Sequence, residues 1–162
     1  QALEEGRRVA SEGRKSENSV ERRDSLRIYA RLVIQDRYID EAINVAVEGM
    51  KSKDYHERCA VLKLYEQLVV KDFSIDEAIK AVKIEVKEIK SEDNYRLACI
   101  LNLCKRLVKK GRVFDEAINV MTKGMESDWE HNKKIASELR EKLVELKIID
   151  PKAIENNQHD EL

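Results

Sequence analysis

The string Ile39-Asp40-Glu41-Ala42-Ile43 returns as Ile75-Asp76-Glu77-Ala78-Ile79 and as Phe114-Asp115-Glu116-Ala117-Ile118. It returns once more in worn form, Ile149-Asp150-Pro151-Lys152-Ala153-Ile154, with the aspartates 36, 39 and 35 residues apart. A period of this length marks stacked helical units, none of which can bury its apolar face alone. A second anchor keeps the same register: Leu32-Val33, Leu68-Val69, Leu107-Val108 and Leu143-Val144 recur at steps of 36, 39 and 36. Seventeen residues before each leucine stands Lys15-Ser16, Lys51-Ser52, Lys90-Ser91 or Glu126-Ser127. The three extra residues of the 39-step fall between Asp76 and Ser91, so one helix is longer by about a turn.

Each repeat reads as two helices. The first, helix A, is expected from Ser19 to Asp36, Tyr55 to Asp72, Asn94 to Gly111 and Glu130 to Lys147. Leu26, Tyr29, Leu32 and Val33 form its apolar stripe, matched by Leu62, Tyr65, Leu68 and Val69 and by Leu101, Cys104, Leu107 and Val108. Offsets of three and four place them on one face of a helix. Ile28, Leu64, Leu103 and Leu139 widen that stripe, as a helix packed between neighbours requires. A short connection leads to helix B, with Asp40, Asp76, Asp115 or Asp150 as the expected N-cap. Glu41, Glu77 and Glu116 add negative charge at the positive end of the helix dipole. Pro151 suits a first helical position. Ala42, Ile43, Ala46, Val47 and Met50 supply the inward face of helix B. Gly13, Gly49 and Gly124 are expected as left-handed helix stops.

The fold expected is therefore all-α: a right-handed α-solenoid of antiparallel helix pairs, about nine helices with a period of 35–39 residues. Residues 1–162 form one domain, with an N-terminal half-repeat at 1–14 and pairs at 15–50, 51–89, 90–125 and 126–162. Gln1-Ala2-Leu3 aligns with Glu-Ala-Ile, so the chain opens inside a helix B and reads as a fragment or processed form. The polar stretch after Ile154 suits the outer face of a terminal helix.

Charge limits the functions open to such a chain. Lys and Arg number 31 against 32 Asp and Glu, a mixed-sign surface that argues against nucleic acid as partner. No apolar run reaches the roughly 18 residues needed to span a bilayer. Cys59, Cys99 and Cys104 read as free buried thiols, in keeping with a reducing compartment. Cytoplasm is the default location. His159-Asp160-Glu161-Leu162 would direct the chain to the endoplasmic-reticulum lumen if it is the native C-terminus.

No phosphate loop, His-Glu-x-x-His, Cys-x-x-Cys or nucleophile elbow occurs. His56, Cys59 and Cys99 sit where stacked helices could bring them toward one zinc ion, but buried helix positions explain both cysteines. Paired acids such as Asp40-Glu41 recur in every full repeat, as helix starts do and a catalytic pair does not. The expectation is a non-enzymatic protein with no cofactor and no metal.

The spacing from Asp54 through Arg58 to Leu68-Val69, with the turn before Asp-Glu-Ala-Ile, resembles the HEAT/armadillo-like repeat group over nearly the whole chain. That resemblance implies a scaffold gripping a peptide or partner helix on a concave face lined by the B helices. The outward B positions are then the binding candidates: Asn44, Lys80 and Asn119 in one row, Val47, Lys83 and Thr122 in the next. Trp129, the single tryptophan, joins them from the turn between repeats. Locally, Lys110-Gly111-Arg112-Val113-Phe114-Asp115-Glu116-Ala117 also looks like the turn of pentatricopeptide repeats, which would imply RNA binding. A designed repeat protein without natural partner is the third reading, and the oligomeric state stays open.

Overall fold

The recurring serines turn out to be the corners of the chain. The computed structural model describes residues 1–90 and 92–152. In it, Ser16, Ser52 and Ser127 each accept at Oγ from the amide two residues on, at Asn18, Asp54 and Trp129, all at 3.1 Å. Such a side-chain turn bends the backbone into the start of helix A. The next residue continues the job in two copies: Asn18 Oδ1 accepts from Val20 N at 2.8 Å, and Asp54 Oδ1 from His56 N at 2.9 Å.

Eight helices follow from this punctuation, and no strand occurs among the described residues. They are α1 (Ala2–Arg14), α2 (Ser19–Ile34), α3 (Ile39–Gly49), α4 (Tyr55–Val70), α5 (Ile75–Glu88), α6 (Asn94–Lys109), α7 (Phe114–Met125) and α8 (Glu130–Glu145). Pro151 and Lys152 are again helical. The rest of the expected ninth helix, the polar stretch, Ser91 and the His159–Leu162 signal lie outside the described residues.

The helix-A starts fall where the spacing put them, but each helix ends two residues earlier. Asp36, Asp72, Gly111 and Lys147 take positive φ and close the helix. The amides of Arg37, Phe73, Arg112 and Ile148 then reach back to the carbonyls of Leu32, Leu68, Leu107 and Leu143 at 2.8–3.0 Å. This is the Schellman geometry, which satisfies carbonyls otherwise orphaned at a helix end. The leucine of each Leu-Val anchor is thus both core side chain and cap acceptor.

Helix B starts differently from expectation. Its N-cap is Tyr38, Ser74 or Val113, each left-handed and without a side-chain cap bond, while Asp40, Asp76 and Asp115 lie in the first turn. Two left-handed residues separated by one reverse the chain so tightly that the helix begins before the aspartate. The acids therefore act on the helix dipole rather than as caps. Only in the worn fourth copy does the expected cap form, Asp150 Oδ1 accepting from Lys152 N at 2.9 Å. Pro151 requires its predecessor to be extended there. Asp54→Ala should accordingly cost about 1 kcal/mol and Asp40→Ala about 0.3 kcal/mol, measured by urea unfolding.

Packing follows one rule. Helices α2, α4, α6 and α8 stack in succession, α3 lies against α2 and α4, α5 against α4 and α6, and α7 against α6 and α8. Helix α1 packs on α2, and α5 touches α7. The stripe residues Leu26, Tyr29, Leu62, Tyr65, Leu101, Cys104 and Leu107 are buried, as are Leu64, Leu103 and Leu139. Ile28 is only partly buried, because its side of α2 borders an open groove beside Val9 and Gly13. On α3, Ala42 and Ala46 point inward, whereas Val47 remains 37 % exposed and belongs to the outward face.

The glycines serve close approach rather than left-handed geometry. Gly13, Gly49 and Gly124 lie within helices, and only Gly111 has positive φ. A Cβ at Gly49 would stand 2.5 Å from Val61 Cγ2, and one at Gly124 would stand 2.9 Å from both Ala136 Cβ and Leu101 Cδ1. Helix B crosses the next helix A at these points with its backbone bare.

Candidate functional site

The three-residue lengthening sits in α5, 14 residues against 11 in α3 and 12 in α7. The eleventh residue of α3 and of α7 is the crossing glycine, and in α5 it is Glu85. Glu85 is fully buried. Arg58 Nε donates to it at 2.9 Å and Arg96 Nε at 2.7 Å, while Arg96 also reaches Glu88 at 2.8 Å. The preceding junction holds the mirror arrangement on an A helix. There Glu57 accepts from Arg14 at 3.0 Å, from Arg22 at 3.3 Å and from Ser52 Oγ at 2.7 Å. Burial alone would raise the Glu57 carboxyl, but the bonds from Ser52, Arg14 and Arg22 outweigh it and hold it below the ordinary carboxylate range. Arg22 and Arg58 also clamp the carbonyls of Ser16 and Ser52 at 3.0 and 2.8 Å. The third junction is neutral, with Ser127 Oγ donating to Asn94 Oδ1 at 2.7 Å and Asn132 Nδ2 to Asn94 O at 2.9 Å. These networks tie successive helix pairs together.

The outward rows of helix B are exposed at Asn44, Lys80, Asn119, Lys83 and Thr122. Lys83 and Asn119 are brought together across a shallow groove between α5 and α7, with Val86, Lys87, Asp115 and Glu116 completing its walls. Asn44 and Val47 stand apart on α3. Lys80 Nζ donates to Glu77 at 3.2 Å, and Thr122 Oγ1 donates to its own helix at Ile118 O, 3.0 Å. The groove residues not anticipated are Val86, Lys87, Asp115 and Glu116. Lys87 lies one turn beyond Lys83, a spacing readable in the sequence, whereas the two acids had been assigned to the helix start alone.

Trp129 stands elsewhere, at the N-cap of α8, 44 % exposed. It shares a notch with Tyr55, Glu92, Asp93, Asn94, Tyr95 and Arg96.

The thiols are free and buried. Cys59 and Cys99, on the stacked helices α4 and α6, contact each other: the bond from Cys59 lowers the Cys99 thiol, helped by Lys63 and Tyr95, while the same contact and burial raise Cys59. Burial also raises Cys104. His56 turns to Tyr55, with ring centroids 4.1 Å apart. Among the described residues no group of three or more His, Cys, Asp or Glu is placed to hold a metal ion, and no helix is long and apolar enough to cross a membrane. Compared with family models, curated proteins and solved structures, the chain matches none.

Proposed function

We propose that the chain is a stretch of right-handed α-solenoid of the HEAT/armadillo-like kind, and that it works as a non-enzymatic scaffold. Its partner is a protein, held as an extended segment or a helix along the B-helix surface. One observation carries this reading: Lys83 and Asn119, equivalent in neither sequence nor charge, meet across the groove between α5 and α7 with Lys87 and two carboxylates around them. A groove walled by donors and acceptors on successive repeats suits the alternating amides and carbonyls of a peptide backbone. The succession of A helices and the B helices laid across them support a solenoid, and the helical start at Pro151 supports a ninth helix.

The test is capture of the partner, followed by affinity measurements on variants. Lys83→Ala combined with Asn119→Ala should weaken partner binding by about tenfold or more, equivalent to about 1.4 kcal/mol. Asn44→Ala with Lys80→Ala should add a smaller loss. Unchanged affinity in both double variants would remove the B-helix surface as the site. Recovery of RNA that releases steeply with salt would replace the protein scaffold with a nucleic-acid reader.

A further inference from the structure

The repeats provide an internal comparison for Trp129. The residue opening helix A is Asn18 in α2, Asp54 in α4 and Asp93 in α6, but Trp129 in α8. An indole cannot accept from the first-turn amides, so α8 forgoes a cap of the kind that Asn18 and Asp54 form. The indole does not make good that loss in the core, since it stays 44 % exposed.

Its surroundings favour positive charge. The notch is walled by three rings, Trp129, Tyr55 and Tyr95, with Glu92 and Asp93 among them, and Asp93 Oδ2 accepts from Lys90 N at 3.2 Å. Two of the rings already carry a cation of this chain: Arg96 Cζ stands 5.7 Å over Tyr55 and Lys63 Nζ stands 4.9 Å over Tyr95. Arg96 is itself committed to Glu85 and Glu88 and is almost wholly buried. Among the described residues no Lys or Arg stands over Trp129. Indole is the strongest of the aromatic platforms for a cation, and it is the one left open.

We propose that this notch receives a positively charged side chain, lysine or arginine, from a partner protein. The cation lies against the face of Trp129, and Glu92 and Asp93 supply the opposing charge. This rests on the scaffold reading only for the source of the cation, because the site lies apart from the groove between α5 and α7.

Since the chain has one tryptophan, its fluorescence reports this notch alone. The probes are N-acetyl-arginine amide and its neutral isostere N-acetyl-citrulline amide, titrated into the full chain. Arginine amide should give a saturable change with a dissociation constant on the order of 10 mM. Citrulline amide should bind at least about tenfold more weakly. Asp93→Asn with Glu92→Gln should weaken the arginine probe several-fold, and Tyr55→Leu should do so independently. Equal response to both probes, or no saturable response to arginine amide, would overturn the assignment whatever the B-helix variants do. Discrimination between the probes would uphold it even if those variants left partner binding intact.

Discussion

Glu85→Ala will destabilise the protein by about 3–5 kcal/mol, the cost of stranding buried charge when its partner is removed. Two guanidiniums converge on this one carboxylate from the helices on either side, Arg58 on α4 and Arg96 on α6, with side chains only 15 % and 9 % exposed. Neither can turn to water without leaving the junction, and Glu88, the remaining acid, is itself half exposed. The concerted replacement Arg58→Met, Glu85→Leu and Arg96→Leu should by contrast lie within about 1 kcal/mol of the parent, because it removes the desolvation cost together with the attraction. Urea unfolding of the parent and the two variants decides the matter. A single-variant loss under about 1 kcal/mol would mean the carboxylate is not the clasp of this junction.

The crossing glycines should show the next largest effect, graded by how hard the neighbour is to move. Gly49→Ala and Gly124→Ala should each cost about 1–3 kcal/mol, since the added methyl overpacks a closed contact. At Gly124 both Ala136 and Leu101 are met at 2.9 Å, with the carbonyl of Asn132 at 3.4 Å behind them, so relief requires α7 to lift from α8. Gly111→Ala is the control: nothing lies within 4 Å, so only its positive φ is strained, costing about 1 kcal/mol. If Gly111→Ala proved the most damaging of the three, close approach would be the wrong account of Gly49 and Gly124. Thermal or urea midpoints rank them directly.

These two predictions concern features that the sequence displayed and spacing alone misassigned. Gly49 and Gly124 fall beside the serine marker, where a helix stop is the ordinary reading, and local pattern cannot tell a stop from a crossing. Glu85 was hidden by the choice of origin. Counted back from the serine the third copy presents Glu88, whereas counted forward from the start of α5 it presents Glu85 in the glycine's place. The groove was half visible. Lys83 and Asn119 belong to different outward rows, and the walls they share depend on how α5 and α7 lie together.

The sequence by itself determined the all-helical class, the period, the start of every helix A and the place of the extra turn. These depend on chain-local physics: apolar spacing at 3.6 residues, side-chain turns at Ser16, Ser52 and Ser127, and aspartate or asparagine at two of the caps. Tertiary structure decided the rest. The left-handed pair at three of the A–B corners puts even Val113 at φ 54°, which its own preference opposes and which the docking of helix B on helix A maintains. The bare crossings, the twin arginines on Glu57 and Glu85, and the open face of Trp129 likewise exist only once neighbouring helices meet. Distances between segments 27 to 43 residues apart, not preferences within one, set those contacts.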